Sequence, residues 1–430
     1  MLEDRYGLQL STTSNGARDH YIEGVDRILA GNPFVEESLN AAIEADPSFA
    51  LPHTALARQH QLCGRPREAR AESDIAVELA ANATDRERAH TEIFSRMVTG
   101  KIPQALAMTR SHVQTHPRDA FVLAPSSGVF GLIGFSGRVD REPEQLALLE
   151  PLADAYGDDW WFLTAHSFAL TEMGQWEKGG ELVERALEQF PRNAVGAHIR
   201  VHALYEGGEN DEALRFLREW LPEYDRSGLL HCHIWWHYCL ALMSVGENEA
   251  SWRAYEENCS PDVSQSPSIN ILTDGASLLW RSELSGQPRE NARWERLREY
   301  YEATFPRPMV FVDAHAGLAY AALGQTEALQ AYVAQVEELG AAGRLPAGTV
   351  GASIATAGGH FCAQRWADTI STLEPAMDQI VRIGGSRAQR DLVTNTLIAA
   401  YIKDGRAQDA HALIAAADDR QPFHPVAGLA

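Results

Sequence analysis

Apolar residues recur along this chain at helical spacing rather than in alternation. In Asn210-Asp211-Glu212-Ala213-Leu214-Arg215-Phe216-Leu217 they fall three and four residues apart, which gathers them on one helix face. No run alternates in the manner of a strand bounded by hairpin turns. A glycine followed five residues later by alanine marks the junctions, at Gly64/Ala69, Gly100/Ala105, Gly208/Ala213 and Gly405/Ala410, with Gly174/Gly179 carrying glycine in the alanine slot. Gly174 and Gly208 lie 34 residues apart. Downstream, apolar-Ala-Leu stretches close at proline, as in Ala186-Leu187-Glu188-Gln189-Phe190-Pro191 and Ala42-Ile43-Glu44-Ala45-Asp46-Pro47. Glycine allows a tight turn, the small residue lets two helices approach, and proline ends the second helix. The pattern predicts an all-α fold, a curved solenoid of roughly eight or more helix pairs, forming one unit over residues 1–430.

This period and helix-turn-helix content are the tetratricopeptide pattern. It is weakest over residues 118–160 and 258–312. The first stretch holds the glycine-rich apolar run Gly128-Val129-Phe130-Gly131-Leu132-Ile133-Gly134-Phe135-Ser136-Gly137-Arg138, and the second opens with Ser260-Pro261-Asp262-Val263-Ser264-Gln265-Ser266-Pro267. These are expected to be long loops that partly cover the interior. A covered groove becomes a pocket.

Composition narrows the setting. With 37 Lys+Arg against 59 Asp+Glu the formal net charge is −22, which argues against a nucleic-acid partner, since that needs a basic face. No run approaches the roughly 20 apolar residues of a membrane span, and Met1-Leu2-Glu3-Asp4-Arg5 lacks the pattern of a secretory signal. No membrane partner is expected. The five cysteines, Cys63, Cys232, Cys239, Cys259 and Cys362, are odd in number and scattered, as reduced thiols in a cytoplasmic protein are. Glu177, Glu181, Glu184 and Glu188 are placed on outer helix faces, leaving an inner face of histidine, tryptophan and scattered arginine that is not strongly acidic.

The candidate chemistry lies in the histidines. Six of the sixteen fall between residues 166 and 237, and four make two pairs spaced by four, His198/His202 and His233/His237. Such a pair shares one helix face, one turn apart. By the repeat frame each pair lies on the first helix of its repeat, which lines the concave side, and neighbouring repeats bring the pairs together. His198, His202, His233 and His237, joined by His315, are the candidate catalytic residues, because imidazole serves as acid, base or metal ligand near neutral pH. His166, Trp161, Trp236, Asp274, Arg281, Asp313, Arg387 and Arg390 are the candidate substrate-binding residues, an apolar wall with a few convergent polar groups. Asp313 also reads as a helix N-cap, and Asp274 and Arg281 either face the pocket or pair with each other. Gly384-Gly385-Ser386 reads as a turn and cap whose free N–H groups, with Arg387 and Arg390, suit a carboxylate or phosphate. A divalent metal on His198, His202, His233 and His237 is a further use, although no cofactor is required by the sequence.

The chain resembles the tetratricopeptide repeat protein 38 family over nearly its full length. The likeness is carried by Gly131-Leu132-Ile133-Gly134-Phe135-Ser136-Gly137-Arg138, Tyr156-Gly157-Asp158-Asp159-Trp160-Trp161-Phe162, Ala197-His198, Val201-His202, Trp236-His237, Asp313-Ala314-His315, and Gly384-Gly385-Ser386-Arg387-Ala388-Gln389-Arg390-Asp391-Leu392. It implies a curved tetratricopeptide solenoid and transfers no reaction. Where that family often has histidine after Gly-Gly-Ser, this chain has Arg387. Three functional readings stand at this stage. The first is a small-molecule-binding solenoid with a histidine- and tryptophan-lined pocket for a polar or anionic ligand, extending to histidine acid/base catalysis. The others are a metal-dependent hydrolase or lyase with histidine ligands, and a peptide-binding adaptor with a protein partner. A homo-oligomer is compatible with all three.

Overall fold

The computed structural model describes residues 2–306, 309–417 and 420–429. Helix pairs run from Asn15–Ala30 with Val35–Ala45 to Arg387–Lys403 with Ala407–Ala415, so the fold is the all-α solenoid that the periodicity predicts. The repeat glycines occupy the left-handed turn between paired helices, with φ of 72° at Gly64, 76° at Gly100, 79° at Gly174, 75° at Gly208 and 79° at Gly405. That backbone region penalises side-chain-bearing residues. The alanine slots Ala69, Ala105, Ala213 and Ala410 are buried. At Gly179 the slot cannot take even a methyl group: a Cβ there would lie 2.2 Å from Thr171 Oγ1, and Ser167 Oγ donates to the Gly179 carbonyl at 2.6 Å.

Two departures from the sequence reading have physical causes, and one expected loop is found. Leu2–Glu3 and Gln9–Leu10 form a short antiparallel pair, closed by a turn with Gly7 at φ 76° in which Asp4 Oδ1 accepts from the N–H of Tyr6 and Leu8. Residues 258–312 are mostly regular, since Ser268–Leu284 and Asn291–Thr304 make an ordinary pair. Among the described residues the irregular stretches there are short, chiefly 259–267 and 285–290. Residues 127–140 are irregular and reach across to the far end of the chain. Phe130 packs on Phe311 with ring centroids 5.4 Å apart, Arg382 Nε donates to the Gly137 carbonyl at 2.7 Å, and Arg141 Nε donates to the Val381 carbonyl at 2.9 Å.

The first helices Trp160–Glu172, Ala194–Glu206 and His231–Ser244 are buried nearly all round, while their partners Trp176–Gln189 and Asn210–Trp220 expose one side. Glu177, Glu181, Glu184 and Glu188 lie on that exposed side. One large apolar cluster holds residues from the N-terminal part of the chain through Leu170, and another runs from Leu272 to Val426. Between them the apolar packing breaks into smaller clusters, and there the interior turns polar. Among the described residues no helix is long and apolar enough to cross a membrane.

Candidate functional site

Two helix starts set the site. Asn193 caps Ala194–Glu206 by accepting from Gly196 N at 3.0 Å, while its own amide donates to Thr164 Oγ1 of the preceding repeat at 3.0 Å. At the start of His231–Ser244, Ser266 Oγ accepts from Cys232 N at 2.9 Å. Each cap fixes the rotation of a helix carrying a histidine pair, and the two pairs meet.

His198, His202, His233 and His237 are all buried, and one ligand atom from each lies within 4.8 Å of all the others. Ring centroids are 4.5 Å apart for His198/His202, 4.7 Å for His198/His233, 4.7 Å for His202/His237 and 4.9 Å for His233/His237. His198 and His202 share a hydrogen bond between their Nε2 atoms at 2.8 Å. Asp274 Oδ2 accepts from His233 Nδ1 at 2.9 Å, which leaves Nε2 as the ring nitrogen open to another partner. Glu172 Oε1 stands 3.9 Å from His202 Nδ1. Both His202 Nδ1 and His237 Nε2 are buried without a hydrogen-bond partner. Burial, followed by the neighbouring imidazoles, holds His198 and His237 well below the usual histidine range. Burial and then His233 push His202 down to about 3. Neutral imidazole is the form that ligates metal.

Trp236 forms the wall: its ring stacks on His233 at 5.2 Å and meets His237 edge-on at 4.7 Å, with the Arg281 guanidinium 5.6 Å from its centroid. Asp274 bonds His233, whereas Arg281 Nη2 donates to the Ala388 carbonyl at 2.6 Å. The expected alternative of an Asp274–Arg281 pair is thus replaced by separate partners. The cavity bordering His237 and Arg281 measures about 20 Å³, room for one water and not for an organic substrate.

Other predicted residues lie elsewhere. His166 is half-buried against Phe162, and Trp161 packs on Tyr156 and Phe162. His315 Nδ1 donates to the Phe311 carbonyl of its own helix at 2.8 Å, and His315 is not in the four-histidine group. Asp313 is no N-cap, because the helix begins at Val310 after Met309; its carboxyl is buried within the helix and held up at about 6 by that burial.

Burial pushes His315 down to about 4, which gives a prediction. The unfolded ring takes a proton near pH 6.5 and the folded one does not, so this contribution is complete above that pH and is lost as pH falls toward 4. In His315→Gln the loss is absent. Urea unfolding should show the stability gap between wild type and variant narrowing by about 2–3 kcal/mol from pH 7 to about pH 4.5; a constant gap refutes it.

The expected anion site at Gly384-Gly385-Ser386 is filled by the chain itself. Ser386 and Gln389 make a capping box, and the N–H of Arg387 donates to Glu172 Oε2 at 2.8 Å. Arg390 Nη2 pairs with Glu142 at 2.6 Å and approaches Glu172 at 3.9 Å, while Arg387 Nε lies 3.5 Å from Glu206. The carboxylate that the helix start and arginines suit is therefore Glu172. This also corrects the expectation of an inner face with little acid: Glu172, Glu206 and Asp391 are all buried. Burial pushes Glu172 up to about 7 and Glu206 up to about 8. Glu172 and Glu206 end their helices, where the helix dipole disfavours acids. Two glutamates at the same repeat position just before the turn were the sequence signal that these positions face arginine.

No family model matches the chain. Solved structures similar to it include a human IFIT1 dimer with m7Gppp-AAAA, at 14% identity and a TM-score of 0.43, over 95% of this chain and 90% of that one. An IFIT1 monomeric mutant with Gppp-AAAA matches at 13% identity and 0.45, over 97% of each chain. The Cut9-Hcn1 hetero-tetramer of the APC/C matches at 10% identity and 0.38, over 94% of this chain and 86% of that one. The tetratricopeptide-type solenoid implied by the family resemblance is observed; membership of the tetratricopeptide repeat protein 38 family is not shown. The IFIT1 structures hold oligonucleotides, and this overturns the expectation that a net charge of −22 rules out a nucleic-acid partner. Net charge averages the whole surface and does not report the local face that meets a ligand.

Proposed function

We propose that this chain is a metal-binding solenoid, with one divalent transition-metal ion held by His198, His202, His233 and His237. The observation that carries the reading is the convergence of four buried imidazoles with ligand atoms mutually within 4.8 Å. His237 keeps a buried Nε2 without a partner, which is costly unless something binds it. Imidazole suits zinc, copper, nickel and iron. Asp274 on His233, and Glu172 near His202, are placed as the carboxylates that commonly orient metal-bound histidine.

For an ion that takes four ligands, such as zinc, the four imidazoles would fill the shell, and an ion held from Ala194–Glu206 and His231–Ser244 would lock two repeats together instead of serving hydrolysis. Acid/base catalysis draws less support, because a base pushed to about 3, as His202 is, lies far from the pKa near working pH that such catalysis favours. The free cysteines support the cytoplasmic reading.

The test is titration of chelator-treated protein with Co²⁺. The expected result is uptake of one equivalent per chain with the visible absorption of tetrahedral cobalt, reversed by Zn²⁺. Absence of that absorption, with unchanged thermal unfolding in either metal, overturns the proposal.

A further inference from the structure

After the last helix pair, residues 420–429 run without helix and lie over the interior beside the histidines. Arg420 anchors them. Its guanidinium makes a two-pronged contact with Asp391, at 2.8 Å from Nη1 to Oδ1 and 2.7 Å from Nη2 to Oδ2, and a third contact with Glu206 Oε1 at 2.7 Å. Asp391 also accepts from the Tyr205 hydroxyl at 2.7 Å. The receiving groups belong to the framework helices Ala194–Glu206 and Arg387–Lys403, and the cation belongs to the strap.

The rest of the strap is held as an extended ligand is held. Gln421 N donates to the Glu206 carbonyl at 2.6 Å, and Ala427 N donates to the Leu284 carbonyl at 2.9 Å. His424 Nδ1 lies 2.7 Å from Asn395 Oδ1. Phe423 and Pro425 rest over Val201, Leu240 and Met243, leaving the gap of about 20 Å³ beneath them. Main-chain bonds, a side-chain amide and an apolar seat are the means by which a groove binds an extended peptide.

We propose that this groove is a recognition site for an extended peptide bearing a guanidinium group, and that residues 420–429 keep it shut by occupying it in cis. Release of the strap takes Arg420 away from both buried carboxylates and leaves Glu206 with only Arg387 Nε at 3.5 Å, so an incoming cation favours the exchange. The planar fork of a guanidinium satisfies Asp391 and Glu206 together in a way an ammonium does not. The proposal concerns a site separate from the four histidines and does not depend on metal.

The probe is a fluorescent heptapeptide copying residues 420–426, measured by anisotropy against the full chain and two full-length variants, Arg420→Gln and Phe423→Ser, each first shown to be helical by circular dichroism. A tethered segment competes at an effective concentration on the order of millimolar. The peptide is therefore expected to bind Arg420→Gln at least about tenfold more tightly than wild type, with Phe423→Ser between them. The same peptide with citrulline in place of arginine should not bind. Lack of saturable binding to every helical variant overturns the proposal, as does equal binding of the citrulline peptide. If Arg420→Gln is not helical, Phe423→Ser alone decides on the same criteria.

Discussion

A chain carrying His237→Ala will lose most of the stabilisation that metal gives the wild type. An ion bound only by the folded state adds about 4 kcal/mol when its free concentration exceeds the dissociation constant a thousandfold. Removing one of four ligands costs at least about a hundredfold in affinity, more than the loss of an outer-shell partner commonly does. At the same free metal the variant's gain then falls to about 1.4 kcal/mol. Without metal the two proteins should differ less, because losing the ring opens a cavity but also removes a buried, unpartnered Nε2 and relieves the crowding that His237 shares with His198, His202 and His233. Urea unfolding at fixed free Zn²⁺, with and without metal, measures both quantities. Equal metal-induced gains in wild type and variant would show that His237 is not a ligand.

Trp236→Ala should be the most destabilising single truncation at the site. The indole is 1% exposed, and emptying a site of that size costs about 3–5 kcal/mol. The ring also forms the platform on which His233 stacks at 5.2 Å and against which His237 stands at 4.7 Å. Without it His233 loses the support that keeps Nδ1 on Asp274 and leaves Nε2 open to another partner, so metal affinity falls along with stability. Trp236→Phe should retain most of both, since it keeps an aromatic face and deletes an indole N–H that has no hydrogen-bond partner. Chemical unfolding of the metal-free proteins separates the packing effect from the metal effect. An alanine variant as stable as wild type would mean that the cavity collapses without cost and that the wall is not structural.

Much of the fold was legible because its causes are local. Glycine at the turns, small residues five positions on and apolar spacing of three and four define a helix pair without reference to anything distant. The histidine pairs were legible for the same reason, since a spacing of four fixes a shared helix face. The reading was weaker where one segment serves another. Residues 268–304 looked irregular because their repeat glycine and alanine signals are degenerate, yet neighbouring pairs impose helix on them. Asp313 resembled a cap because the chain gives little local sign that the helix starts at Val310.

What the sequence alone determined, then, is the helix-pair solenoid and the placing of His198/His202 and His233/His237 on facing first helices, both consequences of short-range periodicity. Only the tertiary structure decided that Arg387 and Arg390 meet Glu172, Glu206 and Glu142 instead of an outside anion, and that Arg420 closes over Glu206 and Asp391. Residues such as Glu142 and Arg390 are separated by 248 positions, and no local pattern records that the superhelix brings them together. Nor does any local pattern record the burial that follows, which holds His198, His202 and His237 below the usual histidine range and makes Glu172, Glu206 and Asp391 depend on arginines.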